Sequence, residues 1–422
     1  MSRKSVYIIG AGPGGEALLT GEARNALGRC EFVLGAERIL ESFAALIHGK
    51  NAKSLTSGGA IVEALRESAC TVSTVLVSGD SGFFSLSKRL SAMLEAEGWK
   101  TRILCGISSL AYFAARLGVS YDDAAIDSLH GRLKSGSAEN ERLRALNRVA
   151  GLVAQNQKCF FLTDGVLSPK TICLALVERG MGNVRINIGE RLSHPDEKIS
   201  SYTAKDAQKI DFDEPNVIFI SNHAAKSVFP GFLRDSDFER GEVPMTKEEI
   251  RAVSMAKLRV RRDSVCWDVG AGTGSVSCAM ALAAPFGVVY AVERNAEAVA
   301  LLQKNKLKFG LHNIEIVNGM APAALSSLPD PDLAFVGGTG GALRPVLTEI
   351  LARDTGIRVV INAITLETLA EVRSITLEKG LPDVEIVQIG VNFIQKAGDY
   401  SILKARNPVF VISFGGLDDA AS

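Results

Sequence analysis

A glycine-rich turn between an apolar segment and a helix is the stretch of this sequence best suited to binding a small molecule. The segment Val265–Val269 has the composition of a buried strand, and a helix is predicted directly after the turn. The turn itself consists of Gly270, Ala271, Gly272, Thr273 and Gly274. A strand, a glycine turn and a helix in this order bring backbone N–H groups close to a nucleotide-like ligand.

An acidic residue nearby supports this interpretation. Glu293 follows the next apolar strand, predicted at residues 288–292. From that position a carboxylate can accept hydrogen bonds from the two hydroxyls of a ribose. We therefore predict nucleoside binding here. The alternative is an ordinary turn between strand and helix, with a charged residue at the end of a strand.

A second glycine-rich turn lies near the N-terminus and matches the dinucleotide fingerprint G-x-G-x-x-G. It contains Gly10, Gly12, Pro13, Gly14 and Gly15. In a dinucleotide site, an unbroken helix runs on from the last glycine, so that its N-terminus faces the pyrophosphate. Here Gly21 interrupts, and a glycine inside a helix costs about 1 kcal/mol relative to alanine. A helix beginning near Thr20 is the better prediction, and a flavin or nicotinamide oxidoreductase remains the alternative function.

Two further loops follow predicted strands in the first half of the chain. The strand at 74–77 leads to Gly79, Asp80 and Phe83, and the strand at 101–105 leads to Gly106, Ser108 and Ser109. Ligands of open α/β sheets bind at the carboxyl ends of strands, which favours a site at these loops. Taken singly, Asp80, Ser108 and Ser109 are each better explained as helix caps.

The elements that position these loops alternate between strand and helix along the whole chain. Residues 1–236 are predicted to form one domain, with subdomains at about 1–110 and 111–228 and then a linker rich in proline and glycine. Residues 237–422 form the second domain. It opens with a helix whose Thr246 and Glu249 match a capping box. Five strand–helix steps and a closing hairpin then predict a doubly wound α/β sheet of seven strands.

A run of glycines after the fourth strand of the second domain predicts a floor for a large, flat substrate. The run contains Gly337, Gly338, Gly340 and Gly341. Glycines at the carboxyl end of a strand let a ligand approach the backbone closely. Arg344 and Arg251 are candidates for binding substrate carboxylates, with an ordinary surface position as the alternative for each.

Composition narrows the function class. The chain of 422 residues is long enough for two domains, and its 47 Lys and Arg balance its 47 Asp and Glu. This balance argues against nucleic acid and anionic membranes as partners. The seven cysteines form no C-x-x-C pair, and no apolar run is long enough for a membrane span. We expect a cytoplasmic protein with reduced thiols and no metal site.

Longer motifs resemble two methyltransferase families. With Glu293, the second half resembles class I S-adenosylmethionine methyltransferases, and more specifically the decarboxylating precorrin and cobalt-precorrin methyltransferases of vitamin B12 synthesis, from Gly241 to about Phe414. The first half, from Ser5 to about Ser221, is similar to the tetrapyrrole methylases. The motifs are WDVGAGTGSVS, GMAP, FVGGTGG and INAITLET in the second half, and IIGAGPGGEALLT, SGDSGFFS, GISS and GERLSHPDE in the first. The resemblance implies a two-subdomain tetrapyrrole methylase (class III) fold followed by a Rossmann-like class I domain.

The resemblance also implies two sites for S-adenosylmethionine, one in each domain. In the second domain the family's cofactor residues fall on Thr246, Gly270, Ala271, Gly272, Thr273, Gly274, Glu293 and Ala321. In the first they fall on Gly79, Asp80, Phe83, Ser108, Ser109 and Leu162. The first glycine loop would then face the tetrapyrrole, which places Gly10, Gly12, Pro13 and Gly14 beside the substrate. Ser81 stands where many tetrapyrrole methylases have proline, so we expect a less rigid loop there.

The implied reaction is methylation of a precorrin, or of its cobalt-containing equivalent, at C5 by the first domain and at C15 by the second. The second step would also release the ring-C acetate carboxyl as carbon dioxide. The enzyme mainly positions two reactants, so no catalytic residue is predicted from the motifs. We expect a homo-oligomer. An RNA methyltransferase with an N-terminal binding module is a further alternative, and it would require a basic face and steep salt dependence.

Overall fold

The computed structural model describes residues 4–133, 138–225, 233–354 and 356–416. The chain forms two compact units. The first unit comprises Met1–Gly136 and Asn156–His223, and the second comprises Ser137–Gln155 and Ala224–Ser422. Helix α7 (Glu139–Gln155) belongs to the second unit, although its residues fall within the first predicted domain, 1–236. Residues 226–232, which include the start of the predicted linker at residue 229, lie outside the described residues.

The first unit begins with a parallel sheet of five strands, in the order β3-β2-β4-β1-β5. Adjacent residues of β1 face opposite sides of the sheet, so that Ile8 and Ile9 belong to different hydrophobic clusters. The strands are β1 (Ser5–Gly10), β2 (Phe32–Gly35), β3 (Asn51–Ser54), β4 (Val72–Val77) and β5 (Lys100–Leu104). The helices are α1 (Gly21–Arg29), α2 (Glu37–Ser42), α3 (Ala44–Ile47), α4 (Gly58–Glu67) and α5 (Ser87–Ala96).

The start of α1 confirms the prediction made from Gly21. A 3-10 turn, Glu16–Leu18, follows the first glycine loop, and α1 begins only after Thr20. The Thr20 hydroxyl accepts a hydrogen bond from the N–H of Ala23 at 3.2 Å. No long helix therefore starts at the last glycine, as a pyrophosphate site would need.

The second sheet of the first unit is mixed, with the strand order β6-β7-β10-β8-β9. Stacked rings of Phe160 and Phe219, 4.5 Å apart between centroids, join β7 to β10. The strands are β6 (Ala125–Ser128), β7 (Lys158–Leu162), β8 (Arg185–Glu190), β9 (Lys198–Thr203) and β10 (Asn216–Ser221). The helices of this unit that follow α5 are α6 (Ser109–Leu117), α8 (Pro169–Glu178) and α9 (Ala204–Ala207).

The second unit contains the predicted seven-stranded sheet, in the order β13-β12-β11-β14-β15-β19-β16. The strand β19 pairs antiparallel with both β15 and β16, whereas the other adjacent pairs of this sheet are parallel. The strands of the sheet are β11 (Val265–Val269), β12 (Val288–Glu293), β13 (Ile314–Asn318), β14 (Leu333–Val336), β15 (Arg358–Ala363), β16 (Glu385–Ile389) and β19 (Val409–Phe414). Besides α7, the helices of this unit are α10 (Glu248–Leu258), α11 (Ser275–Ala283), α12 (Ala296–Lys308), α13 (Leu343–Arg353) and α14 (Leu366–Glu378).

Two elements of the second unit differ from the sequence prediction. A separate hairpin of β17 (Asn392–Ala397) and β18 (Tyr400–Ala405) was not predicted. The predicted capping box is wrong, because Lys247 is the N-cap of α10 and no side chain caps this helix.

Each unit contains one of the two tryptophans of the chain. Trp267, on the central strand β11, is fully buried, and its indole N–H donates to the carbonyl of Pro329 at 3.1 Å. Trp99, just before β5, is half-buried, and the Lys4 ammonium lies 5.5 Å from the centre of its ring. Within the described ranges, no helix is long and apolar enough to cross a membrane.

Candidate functional sites

The glycine turn after β11 adopts a backbone that only glycine accommodates easily. Gly270, Gly272 and Gly274 have φ angles of +74°, +55° and +77°. A Cβ on Gly270 would stand 2.2 Å from the carbonyl oxygen of Gly338. Gly270 and Gly272 remain partly exposed, whereas the other three residues of the turn, Ala271, Thr273 and Gly274, are buried and shape it. The exposed edge of the turn is thus two glycines wide.

Glu293 lies against this edge. One oxygen of its carboxylate accepts from the N–H of Gly272 at 2.9 Å. The other accepts from the N–H groups of Arg294 and Asn295, both at 2.8 Å. These bonds fix the carboxylate beside the turn. The oxygen bonded to Gly272 keeps a lone pair for another donor, since each carboxylate oxygen accepts two hydrogen bonds.

Two further segments carry predicted residues to the same end of the sheet. The carbonyl of Pro244 would be 3.3 Å from a Cβ on Gly272, which brings the segment before Thr246 onto the turn. The N–H of Gly319 donates to the Glu293 carbonyl at 3.0 Å, which places the loop containing Ala321 beside Glu293.

Arg251 has a structural role that the sequence analysis missed. Its guanidinium is buried and donates to the carbonyls of Thr246 at 2.7 Å and Leu233 at 2.6 Å, and it pairs with Asp235 at 3.3 Å. The suggestion that Arg251 binds a substrate carboxylate is therefore wrong. Arg251 instead fixes the segment that carries Thr246.

The glycine run after β14 forms an exposed surface beside the turn. The N–H groups of Gly337 and Gly338 donate to the Val269 carbonyl at 3.0 and 3.4 Å. Gly337, Gly338, Gly340 and Gly341 are all exposed. Arg344 is also exposed, but it pairs with Glu378 at 2.7 Å.

A different arginine, Arg294, lies over this surface. Its Nη2 is 3.0 Å from where a Cβ on Gly340 would stand, and its Nη1 lies 3.6 Å from the sulfur of Met320. Arg294 is exposed and has no carboxylate partner among the described residues. It was not singled out in the sequence, although it directly follows Glu293.

A buried carboxylate lies beneath the turn. Asp268 is fully buried, and its Oδ2 accepts a hydrogen bond from the hydroxyl of Ser277. Its Oδ1 has no hydrogen-bond partner among the described residues. Burial, opposed in part by Ser277, raises the pKa of Asp268 to about 7.

This raised pKa predicts how stability depends on pH. In the folded protein Asp268 keeps its proton up to about pH 7, whereas in the unfolded chain it loses the proton near pH 4. The free energy of unfolding therefore decreases as the pH rises from about 4 to about 7. Asp268→Asn mimics the neutral form. We expect the variant to gain stability over wild type between pH 5 and 8, by up to about 4 kcal/mol, measured by thermal and urea unfolding. The exposed Asp263→Asn is the control, and a gain independent of pH would contradict the assignment.

In the first unit, three loops meet through glycines with almost no space between them. A Cβ on Gly106 would stand 2.4 Å from the carbonyl oxygens of both Gly10 and Gly79. Gly12 and Gly79 exchange two backbone hydrogen bonds of 3.1 and 2.9 Å. The loops after β1, β4 and β5 therefore form one assembly at the carboxyl end of the sheet.

Asp80 joins two of these loops. Its two carboxylate oxygens accept from the N–H of Gly82 at 2.7 Å and from the N–H of Gly106 at 3.1 Å. The buried Ser81 donates to the carbonyl of Leu104 at 2.9 Å. The loop was expected to be less rigid at Ser81, but this hydrogen bond restrains it.

The remaining predicted cofactor residues of the first unit lie at the same assembly or at the second sheet. The Ser108 hydroxyl caps α6 by accepting from Leu110 at 3.2 Å, and Ser109 is the first residue of that helix. Phe83 and Leu162 both pack, half-buried, against a cluster formed by α6, β7 and β10. Phe83 and Leu162 thus border a shared region between the two sheets.

The first glycine loop is less exposed than predicted. Gly10, Gly12 and Pro13 are buried, so direct contact of these three with a substrate is not supported. Gly14 has a φ of +130° and is half-buried, and the N–H of Gly15 donates to the Ser193 hydroxyl at 2.8 Å. Gly14 is the member of this loop that remains a candidate for substrate contact.

Comparison with known proteins agrees with this two-part architecture. A family model described as tetrapyrrole (corrin/porphyrin) methylases matches residues 5–208, and one described as a precorrin methyltransferase domain matches residues 237–414. A precorrin-6Y C(5,15)-methyltransferase (decarboxylating) of Sinorhizobium sp. is 30% identical over 362 residues, covering 85% of this chain and 84% of the relative.

Two shorter relatives each match less than half of this chain. A probable cobalt-precorrin-6B C(15)-methyltransferase (decarboxylating) of Pyrobaculum calidifontis is 44% identical over 188 residues, covering 44% of this chain and 95% of the relative. The crystal structure of a precorrin-6Y C5,15-methyltransferase from Geobacter metallireducens GS-15 is 34% identical. It covers 44% of this chain and 100% of that chain, with a TM-score of 0.42.

The chain is a methyltransferase built from a tetrapyrrole methylase domain and a Rossmann-like precorrin methyltransferase domain. Its extended match to the Sinorhizobium protein shows that it belongs to the family of precorrin-6Y C(5,15)-methyltransferases (decarboxylating). The oxidoreductase and RNA methyltransferase alternatives receive no support. Within the described residues, no cluster of three or more His, Cys, Asp or Glu is arranged to hold a metal ion.

Proposed function

We propose that this chain methylates a precorrin, or its cobalt-containing equivalent, at C5 in the first unit and at C15 in the second, where it also decarboxylates the ring-C acetate. The observation that carries this proposal is the presence of two separate glycine-lined sites, one in each unit. Family membership supports the reaction. The separate matches of the two family models, to residues 5–208 and to residues 237–414, support a division of labour between the two units.

S-adenosylmethionine, which would bind once in each unit, supplies a methyl group on a positively charged sulfur. In the second unit, Glu293 would accept from the ribose hydroxyls, while the exposed edge of Gly270 and Gly272 admits the ligand. Arg251 keeps Thr246 in place, and Ala321 offers backbone groups beside the adenine. In the first unit, Gly79, Asp80, Ser108 and Ser109 would line the equivalent site, with Phe83 and Leu162 as its apolar wall.

The chemistry needs positioning and exclusion of water more than a nucleophilic side chain. The electron-rich C15 of the macrocycle forms the new C–C bond as the methyl–sulfur bond breaks. The resulting cationic macrocycle takes up the electron pair of the breaking C–CO₂⁻ bond, so carbon dioxide leaves without a base. After methylation at C5, the macrocycle carries one additional positive charge, and it loses this charge by releasing a proton to solvent. Arg294, at the exposed glycines, is placed to bind a substrate carboxylate.

Replacement of Glu293 by glutamine tests the assignment of the second site. Glutamine cannot accept from a hydroxyl with its amide nitrogen, so affinity for S-adenosylhomocysteine at one of two sites should fall at least about tenfold, as for a hydrogen bond to a charged group. Titration calorimetry on the full chain, with counts of labelled methyl groups and of carbon dioxide, measures both effects. Release of carbon dioxide should fall while methylation at C5 continues.

The exposed Glu315→Gln, on the neighbouring strand, is the matched control. Unchanged binding and unchanged carbon dioxide release in Glu293→Gln would contradict the role of Glu293. Binding of NAD or FAD by the wild-type chain, with none of S-adenosylhomocysteine, would overturn the whole proposal.

We also propose a homo-oligomer that covers the β17–β18 hairpin. Its side chains Ile394, Tyr400 and Leu403 are 71%, 78% and 76% exposed. A two-stranded hairpin is at best marginally stable in water, and a large exposed apolar patch marks an interaction surface. The double variant Ile394→Glu and Leu403→Glu should lower the molar mass measured by light scattering, whereas Leu377→Glu on α14 should not. An unchanged mass would contradict this interface.

Cytoplasmic location and the absence of a nucleic-acid partner are further parts of the proposal. All seven cysteines are free thiols, which favours a reducing compartment. The chain has no net charge, which gives it no overall attraction for a polyanion.

A further inference from the structure

A cluster of basic side chains faces the first glycine loop and has no assigned role. It consists of Arg38 at the start of α2, and of Arg191 and His194 in the loop after β8. We propose that this basic cluster binds a carboxylate side chain of the macrocycle in the first unit. This inference rests on the proposed function and names a substrate-binding site for it.

The contact between His194 and Gly14 defines the position of the cluster. A Cβ on Gly14 would stand 2.4 Å from Nε2 of His194. The imidazole therefore fits here only because residue 14 is glycine. Nε2 is buried and has no hydrogen-bond partner among the described residues. A buried polar atom without a partner costs stability unless something bonds to it.

The charges around His194 are positive in excess. Burial, then Arg191 and Arg38, lower the pKa of His194, with Asp196 and the Pro13 carbonyl opposing them. Arg191 pairs with Asp196. Arg38 is half-buried and has no ion-pair partner in the part of the chain that the structure describes. Burial and Arg191 also lower the pKa of Arg38. Both carboxylates near the cluster, Asp196 and Asp213, act on Arg191. Arg38 is therefore the cation left for an anionic ligand.

The loop that carries Arg191 and His194 is held firmly by other groups. The Glu197 carboxylate accepts from the N–H of Ser193 at 2.7 Å and the hydroxyl of Tyr112 at 2.8 Å, and it pairs with Arg116 at 3.0 Å. Glu197 is therefore occupied and does not neutralise the cluster. A rigid loop lowers the entropy lost when a ligand binds.

A carboxylate fits this site better than a phosphate does. A phosphate site at a glycine loop usually adds the N-terminus of a long helix, and here only the 3-10 turn Glu16–Leu18 follows. Arginines bind carboxylates through paired, charge-assisted hydrogen bonds. Precorrins carry acetate and propionate side chains, so the substrate class supplies the anion.

The test compares Arg38→Met with Arg102→Met in the full-length chain. Arg102 is an exposed arginine of the same unit and is paired with Glu22, so its replacement changes the net charge equally. The probes are cobyrinic acid, whose side chains are free carboxylates, and its fully esterified methyl ester. Titration calorimetry measures binding of each probe, and the C5 methylation rate is measured against precorrin concentration.

We expect Arg38→Met to weaken binding of cobyrinic acid at the first unit's site about tenfold, because one charge-assisted hydrogen bond is lost. The KM for C5 methylation should rise by a similar factor. The kcat should stay within about twofold of the wild-type value. Binding of the ester and of S-adenosylhomocysteine should not change. His194→Asn should weaken the same site.

Equal affinity of both arginine variants for cobyrinic acid would overturn the inference. Displacement of cobyrinic acid from this site by pyrophosphate at equal concentration would replace it with a phosphate site. A wild-type chain that binds cobyrinic acid through Arg38 but transfers no methyl group would contradict the proposed function and leave the basic cluster standing. If the wild-type chain methylates C5 and Arg38→Met has no effect, the proposed function stands and the role of the basic cluster is contradicted.

Discussion

Replacing Gly270 with alanine is expected to abolish carbon dioxide release and C15 methylation while leaving C5 methylation intact. The new Cβ would lie 2.2 Å from the carbonyl oxygen of Gly338. The nearest atoms all belong to the Gly338 backbone, so no side chain can rotate to relieve the clash. The φ of +74° adds about 1–2 kcal/mol of strain for a residue with a side chain. The turn must then separate from the glycine surface. Methyl incorporation and carbon dioxide counted on the full chain measure the effect.

Gly380→Ala is the matched control for this variant. Gly380 follows α14 with a φ of +59°, and a Cβ there would meet no atom within 4 Å. It therefore carries the backbone strain without the clash. If Gly270→Ala still released carbon dioxide at the rate of Gly380→Ala, the turn after β11 would not belong to the site of decarboxylation.

Replacing Gly106 with alanine is expected to have the reciprocal effect, a loss of C5 methylation with carbon dioxide release retained. Its Cβ would press on the carbonyl oxygens of Gly10 and Gly79, each 2.4 Å away. All three loops of the first unit would have to move, and the hydrogen bond from Gly106 to Asp80 would break. Mass spectrometry can follow the product, because the molecule methylated only at C15 carries one methyl group fewer than the product methylated at both C5 and C15.

Gly59→Ala, in α4, is the control for this second variant, since a Cβ there meets no atom within 4 Å. It should retain both methylations. Loss of both reactions in Gly106→Ala, with folding verified by circular dichroism, would show that the two sites do not act independently.

The sequence predicted those elements in which apolar and polar residues alternate, or in which nearly all residues are apolar. In the seven-stranded sheet of the second unit, β11, β12, β14 and β15 read as apolar runs because they are buried on both faces. The strand Asn51–Ser54 was missed because all four of its residues are exposed. The hairpin of β17 and β18 was missed for the same reason, as every residue of both strands is exposed. The two hairpin strands do carry apolar side chains, such as Ile394 and Leu403, but these do not alternate regularly with polar residues.

The candidate sites were predicted in part. The glycines of both units stand out in the sequence, but their partners do not, since a Gly270–Gly338 or Gly106–Gly10 contact joins distant segments. The pattern at Thr246 and Glu249 fits a capping box, yet the carbonyl of Thr246 serves Arg251 and α10 begins later. Arg38 and His194 carry no local motif that marks them as neighbours.

The distribution of tryptophan gives each unit its own fluorescent reporter. An indole that is fully enclosed and hydrogen-bonded, as in Trp267, emits at shorter wavelength than one partly in contact with water, as Trp99 is. In a Trp99→Phe variant, emission would therefore follow only the central strand of the second unit. Denaturant titrations of the full-length chain could then assign each unfolding transition to one unit, without separating the two.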